Sequence, residues 1–200
     1  MRVKVVSFAT TGEYDREADR LRESAKRFNV DINVVTYSRD FLPTWFDAVK
    51  FKPRFIAEQL ALWSDDYSGV LWSDADSEFV AAPDWDTFDA CHAAWHRFKR
   101  SKMHEEENLT GTMFFAPSTL TKHFLHDWIA ATEAIGKCDT PEQRSLKAVM
   151  AERRESFIAK DMPASYVWIF DDFPALYPGV KPVVIHRQAS RIHKNEARPS

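Results

Sequence analysis

The segment from Met1 to Tyr37 carries the pattern that most restricts the fold. Val3 to Ala9 is a continuous apolar run with β-branched residues, as a strand buried on both faces requires. Tyr14 to Phe28 has apolar residues at helical spacing, and Ile32 to Tyr37 is a second short apolar run. A strand, a helix and a strand in this order form a βαβ unit, which favours a parallel sheet.

The same alternation continues along the chain. We expect a helix that begins at Pro53, because proline is favoured at the first helical position. After the turn at Ser68-Gly69 we expect a strand that ends in a pair of acidic residues. The other predicted elements are helices over Leu120 to Ile135 and Thr140 to Ala151, and strands over Val70 to Trp72, Thr112 to Ala116 and Pro182 to His186. The predicted fold is therefore α/β, a single Rossmann-like domain over residues 1–194 with a central, mainly parallel sheet flanked by helices. Residues 195–200 are expected to form a loose tail.

The composition argues against several classes of protein. A formal net charge of -3, with 28% charged residues, gives no electrostatic reason to expect nucleic-acid binding. No apolar run is long enough to span a bilayer, and the start of the chain reads as a strand rather than a secretory signal. Cys91 and Cys138 are too few for a disulfide framework, so we expect a reducing, cytoplasmic location.

Two carboxylates, Asp74 and Asp76, directly follow the predicted strand Val70 to Trp72. In extended backbone, residues two apart point to the same side with Cα atoms ~7 Å apart, so both carboxylates can serve one cation. Such oxygen ligands suit Mg²⁺ or Mn²⁺, which also bind substrate phosphates. Ligands of open α/β sheets bind at the carboxyl ends of the strands, where this pair lies. The alternative is a solvated acidic turn.

The segment Val70 to Phe79 resembles the strand-plus-DxD segment of GT-A fold glycosyltransferases. Four further segments are similar to motifs of that family, in the same order: Phe51 to Phe55 (K-P), Thr110 to Phe115 (S-G-T and strand), Pro141 to Leu146 (D-Q-x-x-L helix) and Val184 to Arg191 (closing strand with histidine). The resemblance implies a GT-A-like domain, a nucleotide-sugar donor, with a UDP-sugar favoured, and a cation that bridges its diphosphate to Asp74 and Asp76. It also implies His186 as a third metal ligand, the alternative being a hydrogen-bonded surface histidine.

The resemblance implies donor contacts at several further positions. The candidates are Thr10 after the first strand, Lys52 and Arg54 beside Pro53, Gly111, where a sugar can approach the backbone, and the basic residues Arg187, Arg191 and Lys194, which can pair with phosphate. The alternatives are ordinary turn chemistry at Thr10, a strand-edge kink at Gly111 and solvated surface charge for the basic residues.

No catalytic group stands out. Gln143 lies in the predicted D-Q-x-x-L match, but Thr140-x-x-Gln143 also fits a helix capping box. Glu142 occupies the place of the family's Asp, which puts a direct sugar contact at that position in doubt. Asp171 and Asp172 are candidate acceptor-side bases or a plain acidic loop. His92 and His96 are four apart without the glutamate that a zinc-protease motif requires, and we expect no metal site there.

We therefore predict a metal-dependent glycosyltransferase that moves a sugar from a nucleotide-diphosphate donor to an unknown acceptor. Asp74, Asp76 and His186 would hold Mn²⁺ or Mg²⁺. One alternative is a haloacid dehalogenase-type phosphatase, because Asp74 to Ser77 resembles its D-x-D-x-T motif; that motif normally follows the first strand of its domain, however. The other is a non-catalytic sugar-nucleotide binding module, which turnover would distinguish.

Overall fold

A computed structural model describes residues 1–12, 14–99, 106–152, 156–169 and 173–189 of the chain. The strands are β1 (Val3–Thr10), β2 (Ile32–Tyr37), β3 (Gly69–Ser73), β4 (Ser77–Phe79), β5 (Ala93–Lys99), β6 (Glu106–Phe115), β7 (Ala159–Asp161), β8 (Trp168–Ile169) and β9 (Val184–His186). The α-helices are α1 (Asp15–Arg27), α2 (Trp45–Trp63), α3 (Thr119–Ala134), α4 (Pro141–Glu152) and α5 (Phe173–Leu176).

The central sheet has the strand order β2-β1-β3-β6-β5-β7. β1 pairs in parallel with β2 and β3, and β5 pairs in parallel with β7. β6 runs antiparallel to both of its neighbours, β3 and β5. The prediction of an α/β fold with a mainly parallel central sheet is therefore confirmed, with β6 as the reversed strand.

Helices cover both faces of this sheet because side chains alternate along each strand. On one face, Val5 of β1 shares a buried cluster with Leu21 of α1. On the opposite face, Val6 belongs to a second cluster that also contains Phe55 of α2 and Trp128 of α3. Burial on both faces explains why β1 is a continuous apolar run rather than an alternating one.

The last predicted strand lies in a different sheet from the one expected. We expected it to extend the single open sheet, whereas β9 belongs to a small sheet with the order β4-β9-β8. Both edges of β3 are already paired, one with β1 and the other with β6. β9 therefore pairs with β4, the short strand that follows the acidic pair. In the antiparallel β4–β9 pair, Ser77 lies opposite His186. This register brings the end of β9 next to the acidic pair.

Helix α2 begins well before the proline at which we expected it to start. Thr44 caps the helix: its Oγ1 accepts a hydrogen bond from the backbone N–H of Asp47 at 3.1 Å, and an Asp47 carboxylate oxygen accepts one from the backbone N–H of Thr44. This capping box satisfies N–H groups at the true start of the helix. Pro53 therefore lies inside α2, where its ring removes one backbone donor, and burial of Phe55 and Ile56 offsets that loss.

Three further expectations concern membrane-spanning helices, the two cysteines and the domain boundaries. None of the helices within the described ranges is both long enough and apolar enough to cross a membrane. Cys91 and Cys138 are free thiols. The division into a domain over residues 1–194 and a tail over residues 195–200 stays a prediction, because residues 190–200 lie outside the described part of the chain.

Candidate metal and donor site

The acidic pair lies in a tight turn between β3 and β4, not in the extended backbone that we expected. The backbone N–H of Ser77 donates to the carbonyl oxygen of Asp74 at 3.0 Å, and Ser77 Oγ donates to the same oxygen at 2.6 Å. The backbone N–H of Asp74 donates to the carbonyl of Gly111 in β6 at 2.8 Å. The turn, held against β6, therefore presents Asp74 and Asp76 at the carboxyl end of β3.

His186 joins the pair through the pairing of β9 with β4. Asp74, Asp76 and His186 each offer one ligand atom, and these atoms all lie within 4.8 Å of one another. The backbone N–H of Ala189 donates to Asp76 Oδ2 at 2.8 Å, and His186 Nε2 lies 2.9 Å from Thr112 Oγ1. Hydrogen bonds of this kind orient metal-binding side chains. The three predicted metal ligands thus converge, although they come from two separate parts of the chain.

Burial shifts the pKa values of Asp76 and His186 in opposite directions. Burial, and then the negative charge of Asp74, raise the pKa of Asp76 above its ordinary value. Burial lowers the pKa of His186, although Asp74 and Asp76 act in the opposite direction. A neutral imidazole is the form that binds a metal, and a cation placed between the carboxylates would relieve the repulsion between them. A cation here would therefore stabilise the ionised carboxylates, whereas the ammonium group of Lys52 beside Asp74 adds a competing positive charge.

Lys52 of α2 is a buried cation at the edge of this group. Its Nζ lies 2.9 Å from Asp74 Oδ1 and 3.3 Å from the carbonyl oxygen of Thr110. The indole Nε1 of Trp72 donates to the same Asp74 oxygen at 3.0 Å. Burial lowers the pKa of Lys52, but the negative charges of Asp74 and Glu142 outweigh it, so the pKa lies above its ordinary value. Lys52 is thus held in its charged form.

Glu142, at the start of α4, adds a third carboxyl group, and this one is buried. Thr110 Oγ1 donates to Glu142 Oε1 at 2.8 Å, whereas Glu142 Oε2 has no hydrogen-bond partner among the described residues. Burial raises the pKa of Glu142. A buried, unsatisfied carboxyl oxygen is unusual and marks a place where a ligand can supply the missing donor. We had treated position 142 as a departure from the family pattern, and so missed it as a site residue.

Two cavities of about 320 Å³ each meet at this cluster. This volume is at the lower end of the range for small-molecule sites. Both cavities are lined by Trp45, Val49, Lys52, Asp74 and Asp76. The first cavity is also lined by Phe8, Ala9, Thr10, Tyr14, Arg39, Leu42, Pro43, Thr44, Ala48, Trp72 and Ala75. The second is also lined by Leu109, Thr110, Gly111, Asp139, Thr140, Glu142, Gln143, Val167, Ile169, His186 and Gln188.

The remaining candidates lie in different places. Thr10 lines the first cavity and Gln143 the second. Arg54 instead pairs with Glu133 on the surface, and Arg187 pairs with Glu78 beside the small sheet. Four further candidates, Asp171, Asp172, Arg191 and Lys194, lie outside the described residues. Roles in donor binding or catalysis stay predictions for all of them.

Gly111 provides the close approach that the site needs. A Cβ atom built at this position would lie 2.9 Å from His186 Cε1, 3.1 Å from His186 Nδ1 and 3.4 Å from Asp74 Oδ2. The first two distances are shorter than ordinary van der Waals contacts. The absence of a side chain at position 111 therefore lets a histidine and an aspartate from the candidate metal site pack against β6.

Gly111→Ala is expected to weaken Mn²⁺ binding by about tenfold, because the new methyl group must push His186 away from the aspartates. A tenfold change corresponds to about 1.4 kcal/mol. Calorimetric titration of Mn²⁺ measures it. Gly136→Ala is the matched control, because a Cβ atom there would have no neighbour within 4 Å. Equal Mn²⁺ affinities for both variants would show that His186 does not need its present position.

Comparison with known proteins bears on the fold. A crystal structure described as a glycosyltransferase involved in the glycosylation of the major capsid of PBCV-1 superposes with a TM-score of 0.71. The match covers 98% of this chain and 98% of that chain, at 12% sequence identity. No protein-family model matches the chain, and no curated protein matches it. The chain therefore shares its α/β fold with that glycosyltransferase.

Proposed function

We propose that this protein is a metal-dependent glycosyltransferase that uses a nucleotide-diphosphate sugar as donor. The observation that carries this proposal is the convergence of Asp74, Asp76 and His186, whose ligand atoms lie within 4.8 Å of one another at the junction of two cavities. In an open α/β sheet, this edge is where ligands bind. The fold of the glycosyltransferase neighbour supports the same class of activity.

The chemistry of the three side chains fits Mn²⁺ or Mg²⁺. Two carboxylates and one imidazole offer hard oxygen ligands and a borderline nitrogen ligand, and open positions remain for phosphate oxygens. When bound, the cation would stabilise the negative charge that develops on the diphosphate leaving group. The hydrogen bonds from Ala189 to Asp76 and between Thr112 and His186 hold the ligands in place beforehand.

The two cavities fit the two halves of such a donor. The first is walled mostly by apolar side chains, including Phe8, Leu42 and Val49, which suits the faces of a nucleobase. Thr10 offers a hydroxyl group there for the base or ribose. We therefore place the nucleoside in the first cavity. A UDP-sugar remains the favoured donor, as the family resemblance implies.

The second cavity suits the transferred sugar and the acceptor. It combines hydrogen-bonding groups of Glu142 and Gln143 with the bare backbone of Gly111. A sugar hydroxyl could supply the donor that Glu142 Oε2 lacks within the described residues. The acceptor stays unidentified, and the cytoplasmic location expected from the two cysteines stays a prediction.

A panel of nucleotide-sugars tests the proposal directly. With Mn²⁺ or Mg²⁺ present, the correct donor should raise the melting temperature; at a hundredfold excess over Kd it stabilises the fold by about 2.7 kcal/mol. The same donor should slowly release its nucleoside diphosphate without an acceptor, because water can take the acceptor's place. Both effects should disappear when a chelator removes the cation.

The possible outcomes separate the three classes of function. Stabilisation without release, even with candidate acceptors, would support a binding module. Release of phosphate from small phosphomonoesters, with a trappable aspartyl-phosphate at Asp74, would support a phosphatase. The transferase proposal fails if no nucleotide-sugar produces a response with either metal.

A further inference from the structure

Lys52 occupies an unusual position for a lysine. Its side chain is only 7% exposed, and lysines are almost never so buried unless they are paired. The ammonium group contacts Asp74, a candidate metal ligand, and lies along the walls of both cavities. A positive charge is therefore built into the place where a divalent cation is expected to bind.

The charges around the site indicate what this lysine does to a metal ion. Asp74, Asp76 and Glu142 place three carboxyl groups around the second cavity, and the ammonium group of Lys52, 2.9 Å from Asp74 Oδ1, neutralises part of their charge. Because buried charges are only weakly screened, the ammonium group and a divalent cation beside Asp74 must repel each other. A diphosphate brings new negative charge, which offsets both cations at once. Metal and diphosphate should therefore assist each other's binding.

We propose that Lys52 makes binding of the divalent cation conditional on the donor's diphosphate. The inference rests on the proposed function, because the diphosphate is that of the donor. In the free protein, Lys52 serves as the counter-charge of Asp74 and keeps the affinity for the cation alone low. Once the diphosphate is present, cation and donor are bound together.

Lys52 is not needed to hold Asp74 in place. The indole of Trp72 donates to the same carboxylate oxygen at 3.0 Å, and the backbone of Asp74 is fixed to Gly111 at 2.8 Å. Removal of the ammonium charge should therefore leave the metal ligands in position. The consequence is a distinctive expectation: neutralising Lys52 should strengthen binding of the cation alone, whereas loss of a purely structural lysine would weaken it.

Calorimetry with Mn²⁺, first alone and then with saturating UDP or GDP, tests this. For the wild type, the nucleoside diphosphate should tighten Mn²⁺ binding by at least tenfold. For Lys52→Met, Mn²⁺ alone should bind at least tenfold more tightly than to the wild type, and the coupling between the two ligands should shrink. By linkage, the effect of Mn²⁺ on the affinity for the diphosphate must shrink by the same factor. Lys52→Arg, which keeps the charge, should behave like the wild type.

Lys50→Met is the matched control, because Lys50 lies on the same helix but donates to the carbonyl oxygens of Glu133 and Ile135. It should leave both affinities unchanged. Lys52→Gln is a second neutral variant in case Lys52→Met does not fold. If Mn²⁺ alone binds the neutral variants no more tightly than it binds the wild type, the inference is wrong. The proposed function itself fails if no nucleotide-sugar of the panel produces a response with either metal, an outcome that the panel reveals separately from these titrations.

Discussion

Asp76→Asn is expected to abolish metal-dependent binding of the nucleoside diphosphate without destabilising the free protein. The substitution removes one of two charged ligands, so Mn²⁺ affinity in the presence of UDP or GDP should fall at least a hundredfold, or roughly 2.7 kcal/mol. Burial and Asp74 raise the pKa of Asp76. Its ionised form therefore opposes folding above the ordinary pKa of an aspartate, and a neutral amide relieves that repulsion.

The structure predicts a different outcome for Asp74→Asn. Metal binding should be lost to a similar extent, but here the buried ammonium group of Lys52 also loses its partner. The free energy of unfolding should fall by about 1–3 kcal/mol, because Lys52 keeps its contact with the carbonyl oxygen of Thr110 but loses the negative charge of its partner. The two aspartates should thus be equivalent in metal binding and distinct in stability.

Urea denaturation of the free proteins and Mn²⁺ calorimetry together measure both effects. Asp65→Asn, at an exposed position in the turn after α2, is the control and should change neither quantity. Undiminished Mn²⁺ affinity in both Asp74→Asn and Asp76→Asn would remove the acidic pair from the metal site. Equal stability losses in the two variants would contradict the assignment of Lys52 as the partner of Asp74.

Trp128→Ala is expected to produce the largest loss of stability, about 3–5 kcal/mol. The side chain is fully buried in the core between α3 and the sheet, where its ring stacks on that of Phe115. Its Nε1 also donates to the carbonyl oxygen of Glu142 at 3.0 Å and to Ser145 Oγ at 3.1 Å. Trp128 therefore supports the sheet and anchors the first turn of α4, which carries Glu142 into the second cavity.

Trp128→Phe separates these two contributions. The phenyl ring keeps most of the apolar contact, so stability should fall by only about 1–3 kcal/mol, because the hydrogen bonds from the indole N–H to Glu142 and Ser145 are lost. Donor-dependent stabilisation should fall as well, since the start of α4 is less firmly held. Trp85→Ala, a partly buried residue away from the site, is the control and should lose less than half as much stability as Trp128→Ala. A Trp128→Ala loss no larger than this control would contradict the anchoring role.

Local patterns in the sequence predicted much of the fold. β1, α1 and β2 were predicted almost to the residue, because apolar runs and the helical spacing of apolar residues are signals contained within each element. β5 was missed, because it is buried along most of its length and so lacks the alternation from which a half-buried strand is recognised. The start of α2 was misplaced because proline's preference for the first helical turn outweighed the capping box at Thr44 in our interpretation.

The sequence by itself determined which side chains are able to bind a metal ion. The order of its motifs indicated the fold. Only the tertiary structure decided which residues meet. Lys52 reaches Thr110 across 58 residues, and Thr112 reaches His186 across 74. Such contacts depend on strand order and on the register between distant segments, about which a local pattern carries no information. For the same reason, only the packing of α4 against β6 shows that one oxygen of Glu142 has no hydrogen-bond partner among the described residues.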